Sequence, residues 1–161
     1  MPIKYIYENQ KFNAWTLIHQ TYDSIMQCHE KACSAYGLTA KQQATLVAIK
    51  ELPKPVTIKD LADCFDRDSA SITFIIDRME KDGLVTRVRD LKDRRSLRIS
   101  ITQRGKTMLK KSAKSTQDLA EKIISALSDQ ELSTFTTLMV KIQKKSYEHR
   151  NIANLVKEIR L

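Results

Sequence analysis

The chain has 161 residues, 42% of them hydrophobic and 29% charged, which suits one domain with a core and argues against a disordered or low-complexity chain. The formal net charge is +9, and residues 84–111 hold ten Lys or Arg against two acids, a net of +8 that leaves +1 for the other 133 residues. A concentration of this kind indicates a polyanionic partner, with a solvated basic surface as the alternative.

Several classes of protein are not expected. The longest stretch without Asp, Glu, Lys or Arg is residues 12–22, eleven residues, whereas a bilayer span needs about 20. The first ten residues lack the apolar core of a signal peptide, so we expect a cytoplasmic protein with no membrane segment. Three glycines cannot build a P-loop or a dinucleotide motif, so we expect neither an enzyme nor a cofactor. The cysteines and histidines lack ligand spacing, so we expect no metal site.

The first third of the sequence predicts two helices. Apolar residues recur at helical spacing over 9–36, and Gly37 then supplies a C-cap. Thr39 with Gln42 three residues later forms a capping box, which predicts a second helix to about Leu52.

Two short helices follow. Thr57 is the predicted N-cap of a third helix, about 58–65, and Asp68 that of a fourth helix that ends at Gly83. Because few residues separate them, these helices predict a helix-turn-helix. The fourth helix has Ile72, Ile75, Ile76 and Met79 on one stripe, with Ala70, Thr73, Phe74, Asp77 and Lys81 opposite. Its dipole and free N-terminal N–H groups favour phosphate.

A basic hairpin is predicted directly after the fourth helix. Residues 84–89 and 97–102 alternate with period two, with Leu97, Ile99 and Ile101 on an apolar face. The loop between them, residues 90–96, carries three cations, and the polar face of the strands is expected to carry three more. A helix followed by such a loop fits duplex DNA, because the major groove admits a helix and the narrow minor groove suits an Arg on an extended loop.

The remaining sequence predicts two further helices. Thr102 caps a fifth helix to about Leu127, and Ser128 with Glu131 forms a capping box for a sixth helix, whose periodicity continues over 151–161.

A family resemblance rests on residues 56–105, which read VTIKDLADCFDRDSASITFIIDRMEKDGLVTRVRDLKDRRSLRISITQRG. This stretch resembles the MarR family of bacterial transcription regulators, most specifically in its Gly-Leu, basic strand, Asp-x-x-Asp-Arg-Arg, alternating strand and Thr-x-x-Gly order. The resemblance implies a mainly α fold with a small β-hairpin wing, a winged helix-turn-helix flanked by N- and C-terminal dimerisation helices. The expected divisions are 1–38 for the first dimerisation helix, 39–104 for the DNA-binding domain and 105–161 for the last helices.

The same resemblance implies a function. We expect a homodimer that binds double-stranded DNA at a pseudo-palindromic operator, as a repressor released by a small-molecule or oxidative signal. The alternative is a winged helix used for protein–protein contact. The family pattern places Asp93 as a residue that helps to fix the wing, and an Arg, Arg94 or Arg95, in the minor groove. The predicted DNA-binding residues are Thr39, Thr57, Lys59, Ser69, Ser71, Thr73, Phe74, Arg78, Arg89, Lys92, Asp93, Arg94, Arg95 and Arg98.

One position departs from the family pattern. Where many members carry a basic residue midway along the recognition helix, this chain has Phe74, which removes the expected Arg-to-guanine contact. An outward-facing aromatic ring would touch a thymine methyl group or turn to cover neighbouring side chains, and the sequence leaves both open.

Candidates for regulation lie mainly on the first helix. The aromatic residues Trp15 and Tyr22, with His19 between them, are dimer core or border a pocket for a small aromatic or phenolic effector, as in relatives. Cys28 and Cys64 are candidates for an intersubunit disulfide, because redox-sensing relatives link cysteines from these regions. The alternative is that they are free, partly buried thiols.

Overall fold

The computed structural model describes residues 7–89 and 97–159, without the side chains of Arg89 and 151–159, and confirms a mainly helical chain with one antiparallel hairpin. In chain order the elements are α1 (Gln10–Ser34), α2 (Ala40–Glu51), α3 (Ile58–Phe65), α4 (Ser69–Lys81), β1 (Val85–Arg89), β2 (Leu97–Ile101), α5 (Gln103–Ile124) and α6 (Asp129–Ile159). The chain divides into two compact units, residues 1–119 and 120–161.

The predicted helix starts are confirmed by their hydrogen bonds. The side chains of Thr39 and Thr57 each accept the backbone N–H three residues later. In return, the side chains of Gln42 and Asp60 accept the backbone N–H of the threonine that precedes them by three residues. Asp68 accepts the N–H of Ser71 at the start of α4. These short-range bonds satisfy N–H groups that have no partner inside the helix.

Helix ends agree less closely with the sequence prediction. α1 was expected to reach about residue 36, but it ends at Ser34, and Gly37 then adopts a positive φ of 70°. α5 was expected to reach about residue 127, but it ends at Ile124. The last turn of a helix loses hydrogen bonds progressively, so apolar periodicity does not define its final residue.

The core of the first unit is built by α2, α3, α4 and the hairpin. Its largest fully buried side chains are Leu46, Ile49, Val56, Leu61, Ile72, Ile76, Met79, Leu84 and Val85. Full burial of one such side chain contributes about 1.5–3 kcal/mol, so this cluster is the main source of stability for the unit. A backbone hydrogen bond also joins β2 to the segment before α3, because the N–H of Ile99 donates to the carbonyl of Val56 at 2.8 Å.

The pairing of the strands corrects one expectation. Arg87 lies opposite Ile99, and Val88 lies opposite Arg98. Directly paired residues project to the same face of a sheet. Arg87 therefore shares the face of the buried Ile99, and the prediction that all three strand arginines lie on one polar face is wrong. On the apolar face Ile99 is buried and Ile101 half-buried, but Leu97 is exposed.

The start of α5 is fixed against the hairpin. The hydroxyl of Thr102 donates to the carbonyl of Gly83 at 2.6 Å, and its backbone N–H donates to the carbonyl of Leu84 at 3.1 Å. The same hydroxyl oxygen accepts the N–H of Gly105 at 3.0 Å. One side chain thus caps α5 and joins it to the chain segment that begins the hairpin.

The second unit consists mainly of α6. Ser128 and Glu131 form the predicted reciprocal cap at its start. Several of its large apolar side chains are exposed: Phe135, Leu138, Val140, Ile142 and Tyr147. Within the part of the chain that the structure describes, no helix is long and apolar enough to cross a membrane.

Candidate DNA interface

The two faces of α4 are those that the sequence predicts. Ile72, Ile76 and Met79 are buried and Ile75 is half-buried. The exposed residues of this helix are Ser69, Ala70, Phe74, Asp77, Arg78 and Lys81. The buried stripe fixes the helix in the unit and leaves a partly basic surface for a partner.

The N-terminal turn of α4 is already occupied by an anion. The carboxylate of Asp68 accepts the hydroxyl and the backbone N–H of Ser71, each at 2.7 Å. The hydroxyl and backbone N–H of Ser71 lower the pKa of Asp68 below its ordinary value. The expectation of free N–H groups for phosphate is therefore wrong for Ser71. Thr73 is engaged too, since its hydroxyl donates to the carbonyl of Ser69 at 2.8 Å.

Phe74 and Arg78 form a stacked pair on the exposed face. The Phe74 side chain is 61% exposed, and the guanidinium carbon of Arg78 lies 5.2 Å from the centre of its ring. This distance is within the range of a cation–π interaction. Phe74 thus faces outward and at the same time supports the side chain of Arg78.

The side chain of Arg87 forms ion pairs with two carboxylates of α4. Its guanidinium donates to Glu80 at 2.7 Å and to Asp77 at 2.5 Å, and its backbone N–H donates to Glu80 at 2.9 Å. Burial lowers the pKa of Arg87, but the hydrogen bonds and charges of both carboxylates outweigh it and raise the pKa above its ordinary value. This arginine joins β1 to the recognition helix, which is a structural role.

The other predicted DNA-binding residues lie on several elements of the unit. Thr39 and Thr57 cap helices, Lys59 is exposed and Arg98 is half-buried. Thr39 lies in one cleft with Phe74 and Arg78. The side chain of Arg89 and the wing residues Lys92, Asp93, Arg94 and Arg95 lie outside the described part of the structure.

Two further cations line the cleft that holds Thr39 and Phe74. Lys41 and Lys81 were not among the predicted site residues. The sequence pattern predicts only that Lys81 lies on the outward face of α4. Lys41 belongs to α2, and the sequence marks it only by its position two residues after the N-cap Thr39.

Comparisons with known proteins agree with this geometry. The model of the MarR family matches residues 38–97. The uncharacterised HTH-type transcriptional regulator YsmB of Bacillus subtilis is 29% identical over 74% of this chain and 81% of its own length. The HTH-type transcriptional regulator SarZ of Staphylococcus epidermidis is 33% identical over 56% of this chain, and the match spans 60% of SarZ.

The fold comparison gives the same result. The structure of Staphylococcus aureus MepR in complex with DNA superposes with a TM-score of 0.75 at 18% identity, covering 85% of this chain and 99% of that one. Residues 38–97 of this chain therefore resemble the MarR family of transcription regulators. MarR proteins are transcription regulators rather than enzymes, and the winged-helix fold predicted from residues 56–105 is confirmed.

The candidate effector residues are not brought together in one cavity. Trp15 stacks on His19 with ring centres 4.7 Å apart, and the Trp15 side chain is 60% exposed. Tyr22, also 60% exposed, lines a cavity of about 230 Å³ with His29 and Phe65. Of the three predicted effector residues, only Tyr22 lines this cavity.

The three cysteines differ in their exposure to solvent. Cys28 and Cys64 are exposed, whereas Cys33 is buried. Burial raises the pKa of the Cys33 thiol. Among the described residues, no three His, Cys, Asp or Glu side chains are grouped to hold a metal ion.

A largely buried polar cluster joins α1 and α2 to α5. The amide nitrogen of Gln43 donates to Ser112 at 3.0 Å and to Thr116 at 2.8 Å, and its oxygen lies 2.7 Å from Nε2 of His29. Sequence reasoning missed this cluster, because its hydrogen-bonded pairs are up to 73 residues apart.

Proposed function

We propose that this protein is a sequence-specific double-stranded DNA-binding transcription regulator that acts as a repressor at the nucleoid. The proposal rests on α4, which buries one stripe in the core and exposes Phe74, Arg78 and Lys81, and which is followed by a segment of net charge +8. An exposed helix of this kind fits the major groove, and clustered cations neutralise phosphates. The relative MepR has been solved with DNA in the same fold.

The protein acts as a homodimer in this proposal. Large apolar side chains are exposed on α1, among them Phe12, Trp15 and Tyr22, and α6 exposes a similar set. Large apolar side chains exposed on a helix favour association, and a second copy of this chain is the proposed partner. Residues 1–38 and 105–161 then serve as dimerisation regions around a DNA-binding domain at 39–104. The operator has two half-sites roughly 34–36 Å apart.

A signal releases the repressor from DNA in this proposal. One candidate signal is a small aromatic or phenolic molecule in the cavity beside Tyr22. The other is oxidation of Cys28 or Cys64, whose exposure leaves both thiols accessible. A triple Cys→Ser variant that keeps the full response to peroxide on DNA binding would exclude the oxidative signal.

The wing provides the decisive test. An operator is first selected from a random DNA pool, and affinity is then measured against salt for Arg94→Ala and Arg95→Ala. Loss of one phosphate contact should reduce the salt slope by about one unit. An Arg in a narrow minor groove should instead cost more affinity on A·T-rich flanks, and we assign this role to Arg95 and the phosphate role to Arg94.

A matched control is Lys144→Ala, which removes one exposed cation from α6. It should leave operator affinity and salt slope close to those of the parent. If both wing variants also bind operator and random DNA like the parent, the loop does not contact DNA, and the protein–protein alternative is favoured.

A further inference from the structure

The side chain of Gln42 forms a hydrogen bond at each end of its amide group. Its carbonyl oxygen accepts the backbone N–H of Thr39 at 2.9 Å, and its amide nitrogen donates to the carboxylate of Asp82 at 2.8 Å. Thr39 is the N-cap of α2, whereas Asp82 is the C-cap of α4. One half-buried side chain thus joins the start of α2 to the end of the predicted recognition helix.

Glutamine is the residue type that both bonds require. The third helical position of a capping box takes Glu or Gln, and the dipole at the start of a helix favours Glu. A carboxylate accepts from Thr39 but has no N–H to donate to Asp82, whereas an amide does both. The same requirement fixes the orientation of the amide, because the backbone N–H needs an acceptor and the carboxylate needs a donor. The choice of Gln at residue 42 is therefore explained by the contact with α4, not by the cap alone.

The backbone closes the end of α4 without the Asp82 side chain. Gly83 adopts a φ of 68°, and the N–H groups of Gly83 and Leu84 donate to carbonyls three and five residues earlier. These bonds satisfy the last carbonyls of the helix, as in a Schellman motif. The dipole at this end disfavours a carboxylate, and in the proposed function a carboxylate here also repels DNA phosphates. Both costs indicate that the Asp82 side chain serves the contact with Gln42.

The first turn of α2 is also held by α1. The N–H of Ala40 donates to the carboxylate of Glu30, on α1, at 2.7 Å. Glu30, Gln42 and Asp82 line one cleft. The end of α4 is thus bonded to a turn that is itself bonded to a proposed dimerisation helix, and the chain of contacts runs from α1 through α2 to α4.

We propose that Gln42 is a positioning residue for the recognition helix, which it holds through Asp82 against the first turn of α2. Lys41 on α2 and Lys81 on α4 are exposed and line the same cleft, so the bond also fixes the separation of two cations offered to DNA. Loss of this single bond should reduce operator affinity about three- to tenfold.

The effect of this bond on DNA affinity rests on the proposed function, whereas the bond itself does not. A positioning role predicts a selective loss. Binding to the operator requires that α4 and its neighbouring cations are held in one arrangement, whereas binding to a random duplex depends mainly on charge.

The test uses two pairs of variants of the full-length protein, and the members of each pair differ only at residue 82. Gln42→Glu/Asp82→Asn keeps the net charge of the parent and reverses the bond, because the new carboxylate still accepts from Thr39 and the new amide donates to it. Gln42→Glu/Asp82→Ala has the same net charge and the same cap but lacks the bond.

The control pair is Gln42→Met/Asp82→Asn and Gln42→Met/Asp82→Ala. Neither member has an amide or a carboxylate at residue 42, so this pair measures the difference that Asn and Ala make at the end of a helix by themselves. Circular dichroism of all four variants at the assay temperature verifies that they are folded.

Affinities are measured for the selected operator and for a random duplex. Gln42→Glu/Asp82→Asn should bind the operator within about twofold of the parent, and Gln42→Glu/Asp82→Ala about three- to tenfold more weakly. Random-duplex affinity should agree within about twofold among these three proteins, which have equal net charge. The members of the control pair should differ by less than about twofold on the operator.

The proposal is overturned if Gln42→Glu/Asp82→Ala binds the operator like the parent, if the reversed bond does not restore affinity, or if the control pair shows the same difference between Asn and Ala.

A second arm measures the orientation of α4 relative to α2 without DNA, from residual dipolar couplings of the backbone amides of both helices. The parent and the variant with the reversed bond should share one orientation, and Gln42→Glu/Asp82→Ala should depart from it. If the parent binds no operator, the proposed function fails, and these couplings still decide whether Gln42 holds α4. Operator binding by the parent with equal couplings in all three proteins would reject the positioning role alone.

Discussion

A Cβ atom added to Gly105 would lie 2.2 Å from the carbonyl oxygen of Leu84 and 2.8 Å from Cγ2 of Ile101. The first turn of α5 therefore approaches the start of the hairpin more closely than any residue with a side chain allows. The contact is with backbone, which cannot move aside as the end of a flexible side chain can. This close approach gives a physical reason for the glycine of the Thr-x-x-Gly motif.

The variant Gly105→Ala should lower the free energy of unfolding by about 1–3 kcal/mol, the usual cost of forcing extra volume into a packed site. Helix propensity alone predicts the opposite effect, because Ala inside a helix raises the free energy of unfolding by about 0.5–1 kcal/mol relative to Gly. Chemical denaturation distinguishes the two. A variant as stable as the parent would mean that α5 shifts away from Leu84 without cost.

Local features of the fold were predictable from sequence because their causes are local. The caps at Thr39, Thr57, Asp68 and Ser128 depend on residues three positions apart, and the buried stripe of α4 depends on helical periodicity alone. These helix starts predict the order of α3, α4 and the basic hairpin. That order in turn predicts that α4 is the recognition helix.

Features that depend on pairing across the fold were not predictable in the same way. Alternation along β1 does not define which residue of β2 lies opposite. The sequence therefore predicts Arg87 on the polar face of the hairpin, whereas it shares the face of Ile99. The cluster around Gln43 requires α1, α2 and α5 to pack together. The stacking of Arg78 on Phe74 depends on rotamers, which no sequence pattern gives.

The buried amide of Gln43 gives the second prediction. Gln43→Leu keeps a similar volume and removes the hydrogen bonds, so it should cost about 1–2 kcal/mol of unfolding free energy. Gln43→Glu should cost about 1–3 kcal/mol more, because a carboxylate cannot donate to Ser112 and Thr116 and its charge would be buried. Denaturant titration of both variants at pH 7 is the measurement. Equal stability of the two would show that water reaches this cluster.

The third prediction concerns the ion pairs of Arg87. Arg87→Lys keeps the charge but cannot bind Glu80 and Asp77 with one planar group. It should lower the free energy of unfolding by only about 0.5–1 kcal/mol, since both carboxylates are more than a third exposed to solvent. The salt slope of DNA binding should not change. Arg104→Lys, at an exposed position of α5 outside the predicted DNA-binding set, is the control of equal net charge.

Arg87→Gln and Arg104→Gln remove one charge each. A fall of about one unit in the salt slope of Arg87→Gln, absent from Arg104→Gln, would contradict the structural role of Arg87 and indicate a phosphate contact.

The fourth prediction concerns pH and the start of α4. The carboxyl of Asp68 should titrate below its ordinary pKa of 3.8, because the hydroxyl and backbone N–H of Ser71 stabilise the ionised form. A lowered carboxyl pKa adds stability that is fully present above the unfolded value and is lost as pH falls through the folded value. Ser71→Ala should raise the pKa towards 3.8, because it removes the hydroxyl bond, the largest cause of the shift.

Carbon-detected NMR of the Asp68 carboxyl between pH 5 and pH 2, with the amide of Ser71 as a second probe, measures this titration. Asp68→Asn is the control, since Asn also caps helices but does not titrate. A midpoint at or above 3.8 in the parent would show that the cap does not hold the charge in solution.

The fifth prediction is that Phe74 and Arg78 act on DNA as one unit. Arg78→Ala should weaken operator binding and reduce the salt slope by about one unit, if its guanidinium contacts a phosphate. Phe74→Ala should weaken binding as well, because the guanidinium loses the ring that holds it at 5.2 Å. Both side chains are exposed, so the free energy of unfolding should change by less than about 0.5 kcal/mol in either variant.

A double-mutant cycle measures the coupling. The combined variant should lose less binding free energy than the sum of the single variants, by about 0.5–1 kcal/mol, the usual value of an exposed cation–π pair. Phe74→Leu is the matched control, because it keeps an apolar side chain but lacks the aromatic face that Arg78 stacks on. If it binds the operator like the parent and the single effects are additive, Phe74 contacts DNA directly, as a ring or a leucine beside a thymine methyl group would. If it binds like Phe74→Ala and the coupling is present, the ring serves to orient Arg78, and operator preference should be sought at the bases that Arg78 reaches.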